Sequence, residues 1–338
     1  MPRFTRSALM SFIFLQCDGR ERIKMNNRVH RNCTEVSPEV VNAKIGPGAA
    51  AQSGDDVDRT ISTPAVRIVW MWWAQGWRQA PPIVRACASS WERANPTWSV
   101  RRLTMTDLHT TSLAAVAAAL GTYSHLPKPT TPAYSDILRT ELVGVHGGLW
   151  VDATIFCIQP IDVWMAPVLN GSTEGGFFGV RYTPNGDNEV VSFLFYARRP
   201  ANVAVQLLRY NLRLFWNRPH VISTFNVFDP KYFFWCQLFG CLVGQSPSFR
   251  RVYEAIPHLP GARGDDTPNF FALRQYCLQH IQLTAEDRAF VEEGPFFKLS
   301  SKQNLWSASR CGQLISKNKL ARARSSNESV YRFFVDSG

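Results

Sequence analysis

The sequence predicts an α/β fold, a layered sheet with parallel strands and helices packed against it. Two observations carry this. Between residues 66 and 120 the apolar segments alternate strand, helix, strand, helix, the order that builds parallel βα layers. Further on, a helical pattern over Tyr134–His146 stops at Gly147-Gly148, and a short apolar strand follows at once. A Gly pair there supplies the left-handed geometry of a helix C-cap.

The elements follow in order. Val66–Trp72 (VRIVWMW) reads as the first strand. Pro82–Ala94 reads as a helix with Val84, Ala88 and Trp91 on one stripe and proline at its start. Trp98–Leu103 is a second strand and Thr111–Leu120 an Ala-rich helix. Leu149–Asp152 is the strand after the Gly pair, and Asp152 stands at its carboxyl end, where open α/β sheets bind ligands. Phe177–Tyr182 and Val190–Tyr196 are two further strands. Beyond Asn202 the pattern turns helical, over 202–217, 230–244, 248–255 and 268–280, and Phe296–Leu299 forms a last short strand. Residues 1–63 lack sustained periodicity and end in GPGAAAQSGDDVD, which predicts a disordered leader. The folded domain is expected over 64–305 and a basic tail over 306–338.

Bulk properties narrow the function classes. The 338 residues are 45% hydrophobic, enough for a sizeable core. The net charge is +11, yet residues 301–338 alone carry seven Lys/Arg against two Asp/Glu. The central part is too weakly basic for nucleic-acid binding, whereas the tail could attract nucleic acid or an anionic membrane, or simply be solvated. Eight cysteines without a CxxC pair fit buried, reduced thiols. Ala8–Cys17 and Tyr232–Gly244 are apolar but too short to span a bilayer. The expectation is a cytoplasmic location that could extend to a membrane face, with a membrane-anchored or secretory-pathway form left open. No GxGxxG follows a strand and no Walker A run is present, which argues against a dehydrogenase, a methyltransferase or a P-loop enzyme.

The chemistry concentrates in YSDILRTELVGVHGGLWVDATIFCIQPID, residues 134–162. Asp136 and Arg139 lie three apart on a helix and share a face. Alone, such a pair is worth only ~0.5 kcal/mol as a surface ion pair. Asp152 follows Trp150 and Val151, and a carboxylate ending an apolar strand needs a partner: a divalent cation, a ribose hydroxyl or a capped turn.

The run S-D-x-x-R, G-G, W-V-D-A-T resembles the capsular polysaccharide synthesis family, among the glycosyltransferases with a DXD-type sugar-binding motif. Yeast-type mannosyltransferases and clostridial glucosylating toxins are relatives of that group. IVWMWWAQGW, PPIVRACASSW, SFLFYARRPAN, KYFFWCQLF and PFFKLSSK extend the likeness over residues 64–305.

The resemblance implies a GT-A-like fold: a nucleotide-binding sheet with helices on both faces and a helical C-terminal addition. It implies transfer of a sugar, with retention at the anomeric carbon, from a nucleotide-sugar donor to a polysaccharide or glycolipid acceptor. Trp70 matches the nucleobase-stacking Trp, with Trp72 and Trp73 as alternatives. Asp136 and Arg139 match the pair that holds the donor sugar, and Arg139 could also steady the diphosphate. Asp152 matches the first Asp of the motif. The second Asp is Thr154 here, so a Mn²⁺ or Mg²⁺ site on Asp152 and Thr154 would be poor in carboxylate. Asp265 and Asp266 could supply what is missing; without a metal, Lys298, with Lys302 nearby, would neutralise the diphosphate. His146 is expected to serve the helix C-terminus. A fold that binds donor or glycan without turnover is the alternative.

Overall fold

The computed structural model describes residues 64–182, 189–217, 230–257 and 294–298. The leader, the basic tail, the 268–280 helix, Asp265, Asp266 and Lys302 lie outside the described residues.

A five-stranded sheet forms the centre, in the order β2-β1-β3-β6-β5. Its strands are β1 (Ile68–Trp72), β2 (Ser99–Leu103), β3 (Gly148–Val151), β5 (Phe177–Tyr182) and β6 (Glu189–Ala197). β1 pairs in parallel with β2 and β3, whereas β6 runs antiparallel to both β3 and β5. The sheet is therefore mixed: the β1–β2 pair is parallel, as the strand–helix–strand order of that stretch predicts, and β5 and β6 are antiparallel additions. Only six residues separate β5 from β6, and a parallel crossover needs a dozen or more. A second, two-stranded sheet pairs β4 (Ile155–Cys157) with β7 (Phe296–Lys298).

Helices cover both faces. On one side lie α1 (Pro82–Ala94) and α4 (Ile161–Trp164), the latter followed by α5 (Ala166–Leu169). Trp91 of α1 donates its indole N–H to the Ile155 carbonyl at 2.8 Å, and Trp164 packs against Phe178 at 5.4 Å between ring centres. Asn95 joins α1 to α4 by accepting the Ile161 N–H at 2.6 Å. On the other side lie α3 (Pro132–His146), α6 (Val203–Trp216) and α7 (Pro230–Gln245), with α2 (Ala114–Leu120) against α3 and α8 (Pro247–Glu254) against α7. Trp235 of α7 meets Phe195 of β6 at 5.1 Å and donates to the Thr140 hydroxyl at 2.8 Å.

Local sequence explains how α3 is placed. Thr131 caps it by accepting the Tyr134 N–H, Pro132 opens its first turn, and Gly147 ends it at φ 70°. Gly148 has φ 89°, and a Cβ there would stand 2.7 Å from the Ile68 carbonyl oxygen, so only glycine lets β3 lie this close to β1. Among the described residues, Cys87 and Cys157 are buried free thiols and Cys236 is a partly buried one.

One buried charge holds the helical layer together. Glu141 of α3 is fully buried. It accepts from Arg209 at 2.6 Å, Arg213 at 3.0 Å and the Tyr123 hydroxyl at 2.8 Å. Removing one partner of a buried ion network leaves uncompensated charge at a cost of about 3–5 kcal/mol. Glu141→Ala should therefore lower the thermal midpoint by several degrees, measured by differential scanning calorimetry; an unchanged midpoint would show that α6 does not depend on this anchor.

Candidate active site

The strand order creates a crevice. From β1 the chain goes to β2 on one side and then, through α3, to β3 on the other. Ligands in open α/β sheets bind outside the carboxyl ends of the strands at such a reversal. Asp152 directly follows β3, and Trp73 directly follows β1.

The Gly pair reverses the chain, so the amino-terminal half of α3 returns beside the carboxyl end of β3. Seven residues of helix from Arg139 to His146 rise about 10 Å. The four steps of strand from Gly148 to Asp152 rise about 13 Å. The two lengths differ by less than one strand step, so Arg139 arrives beside Asp152. Its guanidinium lies 3.3 Å from Asp152 Oδ1 and 3.4 Å from Asp136 Oδ1, so the three expected residues form one cluster.

Arg139 is buried, and its donors are all engaged by the protein. Nε donates to the Ser135 carbonyl at 3.0 Å and Nη2 to the Ser135 hydroxyl at 2.9 Å. Nη1 donates to the Ser192 carbonyl across the sheet. The guanidinium lies 5.0 Å from the Trp150 ring centre, and Trp150 donates its indole N–H to Asp152 Oδ1 at 3.1 Å. Ser135, Trp150 and Ser192 are thus site residues that the sequence reading did not single out. Ser135 and Trp150 stand inside the recognised run, one residue before Asp136 and two before Asp152. Ser192 comes from β6, and only strand pairing reveals it.

On its other side Asp152 meets Lys298. The ammonium donates to Oδ2 at 2.9 Å and to the Thr154 hydroxyl at 2.5 Å. A turn over Asp152–Ile155, closed by the Ile155 N–H to the Asp152 carbonyl at 2.9 Å, leads into β4. β4 pairs with β7 so that Ile155 stands opposite Lys298. This pairing delivers a lysine from 146 residues away to the motif.

The two carboxyls are tuned in opposite directions. Burial pushes Asp136 up from 3.8 to about 7, against the pull of Arg139 and a hydrogen bond from Ser192. Burial also opposes ionisation of Asp152, but the charges of Lys298 and Arg139, with hydrogen bonds from Lys298 and Trp150, hold it below its ordinary value. About a quarter of the Asp152 and Lys298 side chains is exposed, against a twentieth for Asp136 and Arg139. Asp152 and Lys298 are accordingly the most open members of the cluster.

Two expectations change. Trp70 does not stand open for a nucleobase. It is 5% exposed, donates its indole N–H to the Gly147 carbonyl at 2.9 Å, and packs on His146 at 5.5 Å. Trp72 is also buried, 6.0 Å from Tyr134. Trp73 is partly exposed at the crevice. His146 is not poised as a charged partner for the helix end: burial lowers its pKa, and its Nε2 has no hydrogen-bond partner among the described residues.

The described donors do not fit a divalent cation. Asp152 and Thr154, the two expected ligands, both accept from Lys298, and Arg139 takes the remaining Asp152 oxygen. No group of three or more His, Cys, Asp or Glu among the described residues is placed to hold a metal. Among the described residues, no helix is long and apolar enough to cross a membrane.

The family comparison agrees with the resemblance. Residues 21–316 match the family described as capsular polysaccharide synthesis protein. The O-glycosyltransferase braB of Annulohypoxylon truncatum is 28% identical over 105 residues, which are 28% of this chain and 24% of that protein. The chain thus matches about a quarter of that relative's length. Among solved structures, the PaToxG glycosyltransferase aligns over 63% of this chain and 90% of its own, at 11% identity and a TM-score of 0.39.

The raised Asp136 sets a pH signature. An unfolded chain gives up this proton near 3.8, the folded one at about 7. Between those values the folded state binds more protons, so this residue's contribution to stability falls as pH rises. Asp136→Asn cannot titrate. Its melting temperature relative to the parent should climb from pH 4 to 7 and then level off; a difference independent of pH would contradict the raised value.

Proposed function

We propose that this chain, which belongs to the capsular polysaccharide synthesis protein family, transfers a sugar from a nucleotide-sugar donor to a polysaccharide or glycolipid acceptor. The observation that carries the reading is Asp152, held at the crevice between Lys298 and Arg139. Breaking the bond between the anomeric carbon and the phosphate oxygen leaves an oxocarbenium-like sugar and a charged diphosphate. Fixed cationic donors aimed at that diphosphate lower the barrier.

The roles follow from exposure and bonding. Lys298, partly open, contacts the diphosphate. Asp152 accepts from ribose and sugar hydroxyls. Asp136, deeper, accepts from or donates to the sugar according to its protonation. Arg139 has every donor committed to the protein and therefore acts as a positioning residue that fixes both carboxyls. Trp73 takes over the nucleobase-stacking role first expected of Trp70.

Retention fits front-face attack. The acceptor oxygen bonds to the anomeric carbon on the side the diphosphate leaves, and its proton passes to the departing phosphate oxygen. No general base from the protein is needed. A glycolipid acceptor would bring the protein to a membrane face, where the basic stretch 301–338 suits anionic headgroups.

Losing one preorganised electrostatic contact at the site costs on the order of 10²–10³ in rate. Asp152→Asn should lose at least about a hundredfold in donor hydrolysis, measured by released sugar, while melting cooperatively; near-normal turnover would refute the assignment. Trp73→Ala should weaken nucleotide binding at unchanged stability, since base stacking on an aromatic is worth about 1–3 kcal/mol. Equal affinity in titration calorimetry would remove Trp73 from the site.

A further inference from the structure

We propose that Lys298 takes the place of the divalent cation, so that this protein binds the donor diphosphate without a metal. The inference rests on the transferase reading and deepens it. Three observations support it.

First, the ammonium occupies the ligand positions themselves. It lies 2.9 Å from Asp152 Oδ2 and 2.5 Å from the Thr154 hydroxyl, the two groups that would bind a metal. A cation entering there would have to displace a lysine already neutralising the carboxylate. Second, the remaining ligands are inadequate. Mg²⁺ and Mn²⁺ prefer carboxylate and water oxygens. Asp152 is already shared between two cations, and Asp136, the other carboxyl of the cluster, faces Arg139. Lys298 and Arg139 at least balance the charge of these two carboxyls whether or not Asp136 holds its proton, leaving none over to attract a metal. Third, Lys298 is anchored. It lies in a strand paired to β4 opposite Ile155 and packs over Phe193 at 5.7 Å, so its position does not depend on an incoming ion. A quarter of its side chain is open to solvent. A diphosphate entering the crevice can therefore meet an ammonium already paired with the carboxylate expected to hold the ribose.

The test uses the full chain, with UDP and GDP as probes, by titration calorimetry in EDTA and in Mn²⁺. The parent protein should bind one of them with an affinity that differs less than about twofold between the two conditions, and titration with Mn²⁺ alone should show no site. A hydrogen bond to a charged group is worth roughly 10- to 100-fold in affinity. Lys298→Ala should lose about that much, and Lys298→Arg should keep most of the binding. Cooperative melting of both variants serves as the folding control, and the comparison in EDTA needs no variant. Binding by the parent only with Mn²⁺ would overturn the proposal and leave the transferase reading intact. So would undiminished binding by Lys298→Ala in EDTA. Failure to bind either nucleotide under both conditions would overturn it together with the transferase reading.

Discussion

The structure turns on a carboxylate held between two cations. Asp152 ends a fully buried strand, where an unpaired charge would be costly to desolvate. Arg139 approaches one oxygen at 3.3 Å and Lys298 the other at 2.9 Å. This arrangement keeps Asp152 ionised while Asp136, one Arg139 away, holds its proton to about 7. Two carboxyls in one cluster thus take different protonation states near neutral pH, one charged acceptor and one that can also donate. Sugar hydroxyls, which both donate and accept, suit such a pair.

Each cation reaches the carboxylate by a separate piece of topology. Arg139 comes by the local route: α3, two glycines in left-handed geometry, then β3 directly alongside β1. Lys298 comes by the distant route, through the β4–β7 pairing. The first is rigid, because Arg139 is bonded to Ser135 and Ser192 as well as to both carboxyls. The second leaves its lysine partly exposed. That division suits a site in which one cation organises and the other meets the ligand.

Legibility in the sequence followed the range of the interactions. The helix Pro82–Ala94 and the strand Phe177–Tyr182 appear with the bounds expected, because each has its own periodicity and proline or turn signals. Asp136 and Arg139 were legible as a pair because they stand three apart on one helix, and Asp152 because it follows the strand that the Gly pair starts. β4 was missed: three apolar residues carry no period, and only the partner β7 makes them a strand. The mixed direction of the sheet depends on a connection too short for a crossover, which apolar patterns do not register. Trp70 was misplaced because an aromatic at a strand end looks the same whether it faces a crevice or, as here, a Gly147 carbonyl beneath a helix.

The most direct measurement of the central claim is a crystal structure with a nucleoside diphosphate bound. The account predicts density for the diphosphate within hydrogen-bond distance of Lys298 Nζ, beside an Asp152 still held by Arg139 and Trp150. A diphosphate bound elsewhere on the protein, with Lys298 unmoved on Asp152 and Thr154, would contradict it.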